Sequence, residues 1–213
     1  MAIQLNHLYV STWQQFLLTS TTRRPLQISA VMSSNAKQLI QSGVVRPISA
    51  KEAAPAMKYE GFVLLDIRPD WEREKARVSG SLHVPLFVED EDYSPITLLK
   101  KWVHFGYIGL WTGQNFTMLN PNFVRQVEQA VPDKDTKLLV ACGEGLRSMM
   151  AASKLHEGGY KNLGWLAGGF NRAAEDDFPQ VEGKEKPQYA TIGGLSFYFL
   201  KLLLLFQGAR KSS

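Results

Sequence analysis

The chain has 213 residues, 45% of them hydrophobic, and a net charge of +4, which is enough for one buried core and, by length, one domain with extensions. Its single cysteine, Cys142, excludes an internal disulfide and with it a stapled secreted scaffold. The positive charge does not mark a nucleic-acid surface: residues 1–51 hold five basic and no acidic side chains, and the remainder balances 19 basic against 20 acidic residues without a basic stripe.

Residues 1–33 are rich in Ser and Thr, free of acids and modestly basic. That is the composition of an organelle transit peptide, expected to be a chloroplast one cleaved near Ala30 or Ser33, with a mitochondrial presequence and a disordered cytosolic arm as the alternatives. Val44 to Ile48 reads as a short extended piece. Ser49 then opens an S-x-x-E capping box with Glu52, predicting a helix to about Lys58 that contains Pro55. Phe62 to Asp66 is a buried strand, and Ser81 to Phe87 is a second, stopped or bent at Pro85.

The connection from 88 to 120 is too long for a plain loop and must carry structure of its own. Ile96 to His104 suits two turns of helix, and Trp102, Phe105, Tyr107, Trp111 and Phe116 offer anchors. A lid over the active site, a membrane-surface patch and an extension of the core are all compatible with this composition.

Asn122 to Val131 predicts a helix, Lys137 to Ala141 a strand, and Leu146 to Glu157 a helix ended by Gly158 and Gly159. Leu163 to Leu166 is a last strand, closed by Gly168 and Gly169. This alternation predicts an α/β fold with a mainly parallel sheet. Near the end, Tyr189 to Phe206 is largely apolar and carries one charge, Lys201. It reads as a transmembrane or membrane-associated helix, the alternative being a terminal element packed on the domain's own core.

The stretch VACGEGLRSMMAA (Val140 to Ala152) carries the chemistry. Cys142 sits at the carboxyl end of a strand, where open α/β sheets place ligands. Gly143 and Gly145 permit a tight turn, and the following helix directs its N–H groups and the positive end of its dipole at the sulfur. Arg147 adds charge, and Ser148 can cap the helix or donate a hydrogen bond to the sulfur. A buried strand-end filler is the bland alternative for Cys142.

C-G-E-G-L-R-S resembles the C-x-x-G-x-R-S loop of the rhodanese family of sulfurtransferases. Leu64 to Arg68 is similar to that family's strand-borne Asp-x-Arg pair. Arg77 to Pro85 resembles its G-H-I-x-G-A segment, and Trp165 to Phe170 its closing Gly-Gly turn. The resemblance implies a single rhodanese-like domain over 44–180, with an insertion at 88–120 and a five-stranded, mainly parallel sheet flanked by helices. It also implies that Cys142 carries a persulfide between a sulfane sulfur donor and a thiol acceptor, with no metal or organic cofactor. The amides of Gly143, Glu144, Gly145, Leu146 and Arg147 would then steady the charged sulfur, while Asp66 and Arg68 brace the domain.

Two features set the expected specificity. A cysteine phosphatase closes its loop as C-x5-R, whereas four residues separate Cys142 from Arg147, and Ala141 stands where such enzymes often have His. Glu144 adds a negative charge beside the sulfur, and a carboxylate about 7 Å away costs roughly 2 kcal/mol per unit charge at an effective dielectric near 20. Free thiosulfate is therefore expected to be a poor donor and a persulfide a better one. A docking or regulatory role at a plastid membrane is the competing function class.

Overall fold

A computed structural model describes residues 38–178 and 180–211, so the leader lies outside the described residues. Five strands form the central sheet: β1 (Val45–Ile48), β2 (Val63–Asp66), β4 (Leu82–His83), β7 (Leu138–Ala141) and β8 (Leu163–Leu166). They run in the order β1-β8-β7-β2-β4, and every pairing is parallel. Parallel neighbours require crossovers, and the helices that supply them cover both faces.

Side-chain alternation along the strands sorts the core into two layers. Leu64, Leu139 and Leu166 face α1 (Ala50–Tyr59) through Ala53 and Ala56, together with Phe170. Leu65, Leu138 and Val140 face α5 (Phe123–Ala130) and α6 (Leu146–Glu157) through Phe123, Val127, Ala152 and Leu155. All four residues of β7 are buried, which places the strand that leads to Cys142 at the centre of the domain. The capping box at Ser49 and Glu52 forms as expected, and Pro55 is accommodated within α1.

The segment from Ser81 to Phe87 is not one strand. Only Leu82 and His83 join the sheet, because Pro85 has no N–H to continue the ladder. The chain then turns outward, and β5 (Phe87–Glu89) pairs antiparallel with β6 (Thr117–Leu119) at the base of the long connection. Between them lie α3 (Pro95–His104), a π-helical turn (Phe105–Gly109) and α4 (Leu110–Thr112). Ser94 caps α3 by accepting from the Thr97 N–H. This segment is not a core extension: Ile96, Leu99, Trp102, Phe105, Tyr107 and Trp111 are all exposed. A short helix α2 (Asp70–Arg73) follows β2, and β3 (Ala76–Val78) pairs with β9 (Val181–Gly183) at the domain edge.

The apolar C-terminal stretch also differs from expectation. Residues 187–189 form a 3-10 turn, and α7 (Gly194–Lys211) begins only at Gly194. The apolar part of α7 ends at Phe206, which gives about 20 Å at 1.5 Å per residue against a hydrocarbon core of about 30 Å. Among the described residues, no helix is long and apolar enough to cross a membrane. Lys201 does not reach for a lipid interface; its ammonium pairs with Glu185 at 3.0 Å and lies over the Phe197 ring.

Candidate active site

Strand β7 delivers Cys142, which is fully buried, directly to the loop that precedes α6. Gly145 caps α6 with φ +94°, a left-handed conformation that side chains disfavour. A Cβ there would also come within 3.1 Å of the Gly168 amide and 3.2 Å of the Trp165 ring. This conformation turns the Gly145 N–H onto the Cys142 sulfur at 3.1 Å, and the Ser148 N–H reaches the same atom at 3.3 Å. Ser148 Oγ lies 3.4 Å from the sulfur and donates to the Gly145 carbonyl at 2.9 Å. Two backbone donors at the head of a twelve-residue helix thus converge on one sulfur.

The sequence placed the cradle slightly differently. Of the five amides expected around the sulfur, only that of Gly145 bonds to it, and Ser148 supplies the second donor. Gly143 and Glu144 lie in the loop and Leu146 and Arg147 open α6, with Glu144 and Leu146 exposed.

The turn at Gly168 and Gly169 latches the loop from behind. Both glycines have positive φ, and a Cβ on Gly169 would collide with the carbonyls of Cys142 and Gly143. Because the backbones approach so closely, the Phe170 N–H donates to the Cys142 carbonyl at 2.9 Å and the Asn171 N–H to that of Gly143 at 2.8 Å. The Trp165 indole N–H donates to the Gly145 carbonyl at 2.7 Å. Sequence reasoning assigned Trp165 to the closing segment and missed this role, which only the parallel pairing of β7 with β8 creates.

The sequence model of the rhodanese-like domain family matches residues 49–176. Rhodanese-like domain-containing protein 10 of Arabidopsis thaliana is 59% identical over 202 residues, covering 95% of this chain and 93% of that protein. The chain belongs to the rhodanese-like domain family. Rhodanese-like domain-containing protein 11, chloroplastic, also of Arabidopsis thaliana, is 39% identical and covers 74% of this chain and 53% of its own length. Among solved structures, a rhodanese-like domain protein from Staphylococcus aureus has 12% identity and a TM-score of 0.40, covering 66% of this chain and 99% of that one.

In this rhodanese-like domain, Asp66 and Arg68 form a buried ion pair whose hydrogen bonds go to each other and to the backbone. Arg68 Nη2 donates to Asp66 Oδ2 at 2.6 Å and to the Ala76 carbonyl at 2.7 Å, with the guanidinium 4.3 Å from the Phe170 ring centroid. Arg147 is held by Glu72 of α2 through two hydrogen bonds, at 2.8 and 2.7 Å. Burial alone would depress the Arg147 pKa. The charge and hydrogen bonds of Glu72 more than offset this and raise it, with smaller contributions from Cys142 and Glu144. Glu72 escaped the sequence reading; its only signal was a position four residues after Arg68, on the turn that follows the strand. Arg77 pairs with Glu182 at the exposed edge of β3 and β9. Among the described residues, no cluster of three His, Cys, Asp or Glu side chains could hold a metal ion.

Proposed function

We propose that Cys142 accepts a sulfane sulfur as a persulfide and passes it to a thiol or another nucleophilic acceptor. The observation that carries this reading is the convergence of the Gly145 and Ser148 amides on the buried sulfur. The thiolate attacks the outer sulfur of a donor of the form R–S–S⁻, and the donor's S–S bond breaks with its electron pair leaving on R–S⁻. An acceptor thiolate then attacks the outer sulfur of the Cys142 persulfide, and Cys142 leaves as the thiolate. No electrons are gained or lost overall, so the cycle needs no redox cofactor. The Leu146 and Arg147 amides, in the first turn of α6 and lacking intrahelical partners, are available to the outer sulfur.

The exposed Glu144 and the pairing of Arg147 with Glu72 favour a persulfide on a protein or small thiol over free thiosulfate as donor. The test is to load the protein with several sulfane donors and measure cyanolysis beside Cys142→Ser. Loading of the wild type alone is expected, and failure of every donor would end the sulfurtransferase reading.

The compartment we propose is the plastid, supported by the acid-free leader and by relatives named as chloroplastic at 39% and 36% identity. A docking role at a plastid membrane surface is the second reading, favoured by the exposed apolar side chains of α3, α4 and α7. Fractionated plastids washed in carbonate and then in salt would test it. Recovery in the soluble stroma before any wash would count against this reading.

A further inference from the structure

Residues 187–193 lie beyond the stretch matched by the family model, which ends at 176, yet they pack on the cysteine loop. Thr191 Cγ2 occupies the space that a Cβ on Gly143 would need, and Thr191 Oγ1 is 3.0 Å from Asn171 Oδ1. Asn171 in turn donates its N–H to the Gly143 carbonyl. Ala190 is fully buried, and Lys75 donates to the Ile192 carbonyl at 3.0 Å. At the far end, a Cβ on Gly113 would come within 2.5 Å of the Gly194 N, so α7 docks on the backbone of the insertion without intervening side chains. Ile192 and Gly193 also line a cleft of about 350 Å³ together with Trp71, Lys75 and Phe197. Gly194, at φ +58° and next to Gly193, supplies the hinge.

We infer that residues 187–193 are a strap that limits access to Cys142, and that the docking of α7 on the insertion holds it closed. This concerns access to the thiol and holds whichever group Cys142 transfers.

Because Cys142 is the sole thiol, alkylation of the full chain by iodoacetamide reads access directly. Rates are compared on the high-pH plateau, where a change in thiolate fraction no longer contributes. The unfolded chain in urea sets the upper limit. Thr191→Gly removes the contact at Gly143, and Gly113→Val blocks the docking of α7. Both are expected to speed alkylation at least tenfold over wild type while near-UV circular dichroism and Tm remain those of a folded protein. A folded Thr191→Gly protein that reacts at the wild-type rate overturns the strap, as does a wild type that reacts as fast as the unfolded chain. If Gly113→Val does not fold, Thr191→Gly decides alone.

Discussion

Arg147 and Glu72 form a two-pronged ion pair, with Nη1 to Oε1 at 2.8 Å and Nη2 to Oε2 at 2.7 Å, between the cysteine loop and the turn after β2. The loop's own cation is therefore already matched by a nearly fully buried carboxylate. In Glu72→Gln the arginine loses its counter-charge but stays hydrogen-bonded. A stability loss of about 1–3 kcal/mol is expected, since Arg147 retains some solvent. The KM for thiosulfate should fall as the guanidinium becomes available to a dianion. Urea denaturation and steady-state kinetics check the two parts, and a higher KM would show that Arg147 must be aimed by Glu72 to be useful.

Glu144 is exposed, so water screens its charge more strongly than an effective dielectric of 20 implies. Glu144→Gln is expected to raise kcat/KM for thiosulfate roughly two- to fivefold at low salt, with the gain shrinking at high salt. A neutral sulfane donor serves as control. Equal gains with both donors would mean that the side chain acts by shape, not charge.

The Asp66–Arg68 pair is fully buried and also tied to the Ala76 carbonyl. Removing one partner strands the other, so Asp66→Asn should cost about 3–5 kcal/mol. Provided the protein is assayed well below its melting point, cyanolysis per folded molecule is expected to match wild type. A selective loss of activity at unchanged stability would assign the pair to substrate.

The Trp165 indole shares the Gly145 carbonyl with Ser148 Oγ and the Met149 N–H. Trp165→Phe keeps the ring against Gly145 and removes only the N–H, at a cost of about 1 kcal/mol. Since the Gly145 amide holds the sulfur, the variant should also lose sulfur-loading rate by several-fold, measured in a single turnover. A rate equal to wild type would reduce Trp165 to packing.

Burial holds the Lys75 ammonium below the ordinary lysine value of 10.5, although Glu72 and Glu185 oppose the effect. The folded chain therefore releases this proton before the unfolded chain does. Between the depressed value and 10.5 the unfolded state binds more protons, so this residue's contribution makes stability rise with pH in that window. The difference in urea midpoint between wild type and Lys75→Met, followed upward from pH 8, should move in favour of wild type; a constant difference would refute the assignment.

Sequence pattern reached far into this fold because local chemistry and tertiary context agree along its strands. Val63–Asp66, Leu138–Ala141 and Leu163–Leu166 are short apolar runs bounded by turn residues, and each is a strand of the sheet. Cys142 and its glycines were legible for the same reason: a strand, a turn and a helix in sequence can bring backbone amides to one atom without distant help. Glu72, Trp165 and Thr191 were not. Each acts across a pairing or packing contact between segments far apart in the chain, and none belongs to a residue type that marks such a role. The C-terminal stretch misled because hydropathy alone does not show where a helix starts, and the Gly193–Gly194 pair delays it until about two thirds of a membrane's thickness remains.

The π-helical turn at Phe105–Gly109 holds one more residue than an α-helical path over the same distance. That extra residue sets the angle at which α4 emerges, and so whether Gly113 meets Gly194. Losing one residue from the regular helix of α3, where no bulge absorbs the change, would rotate everything beyond it by about 100°, since each residue of an α-helix contributes a turn of that size. The joint between Gly113 and Gly194 is a backbone contact, so substitutions at the exposed aromatic positions are expected to leave it intact, whereas a single-codon deletion in α3 would turn it away.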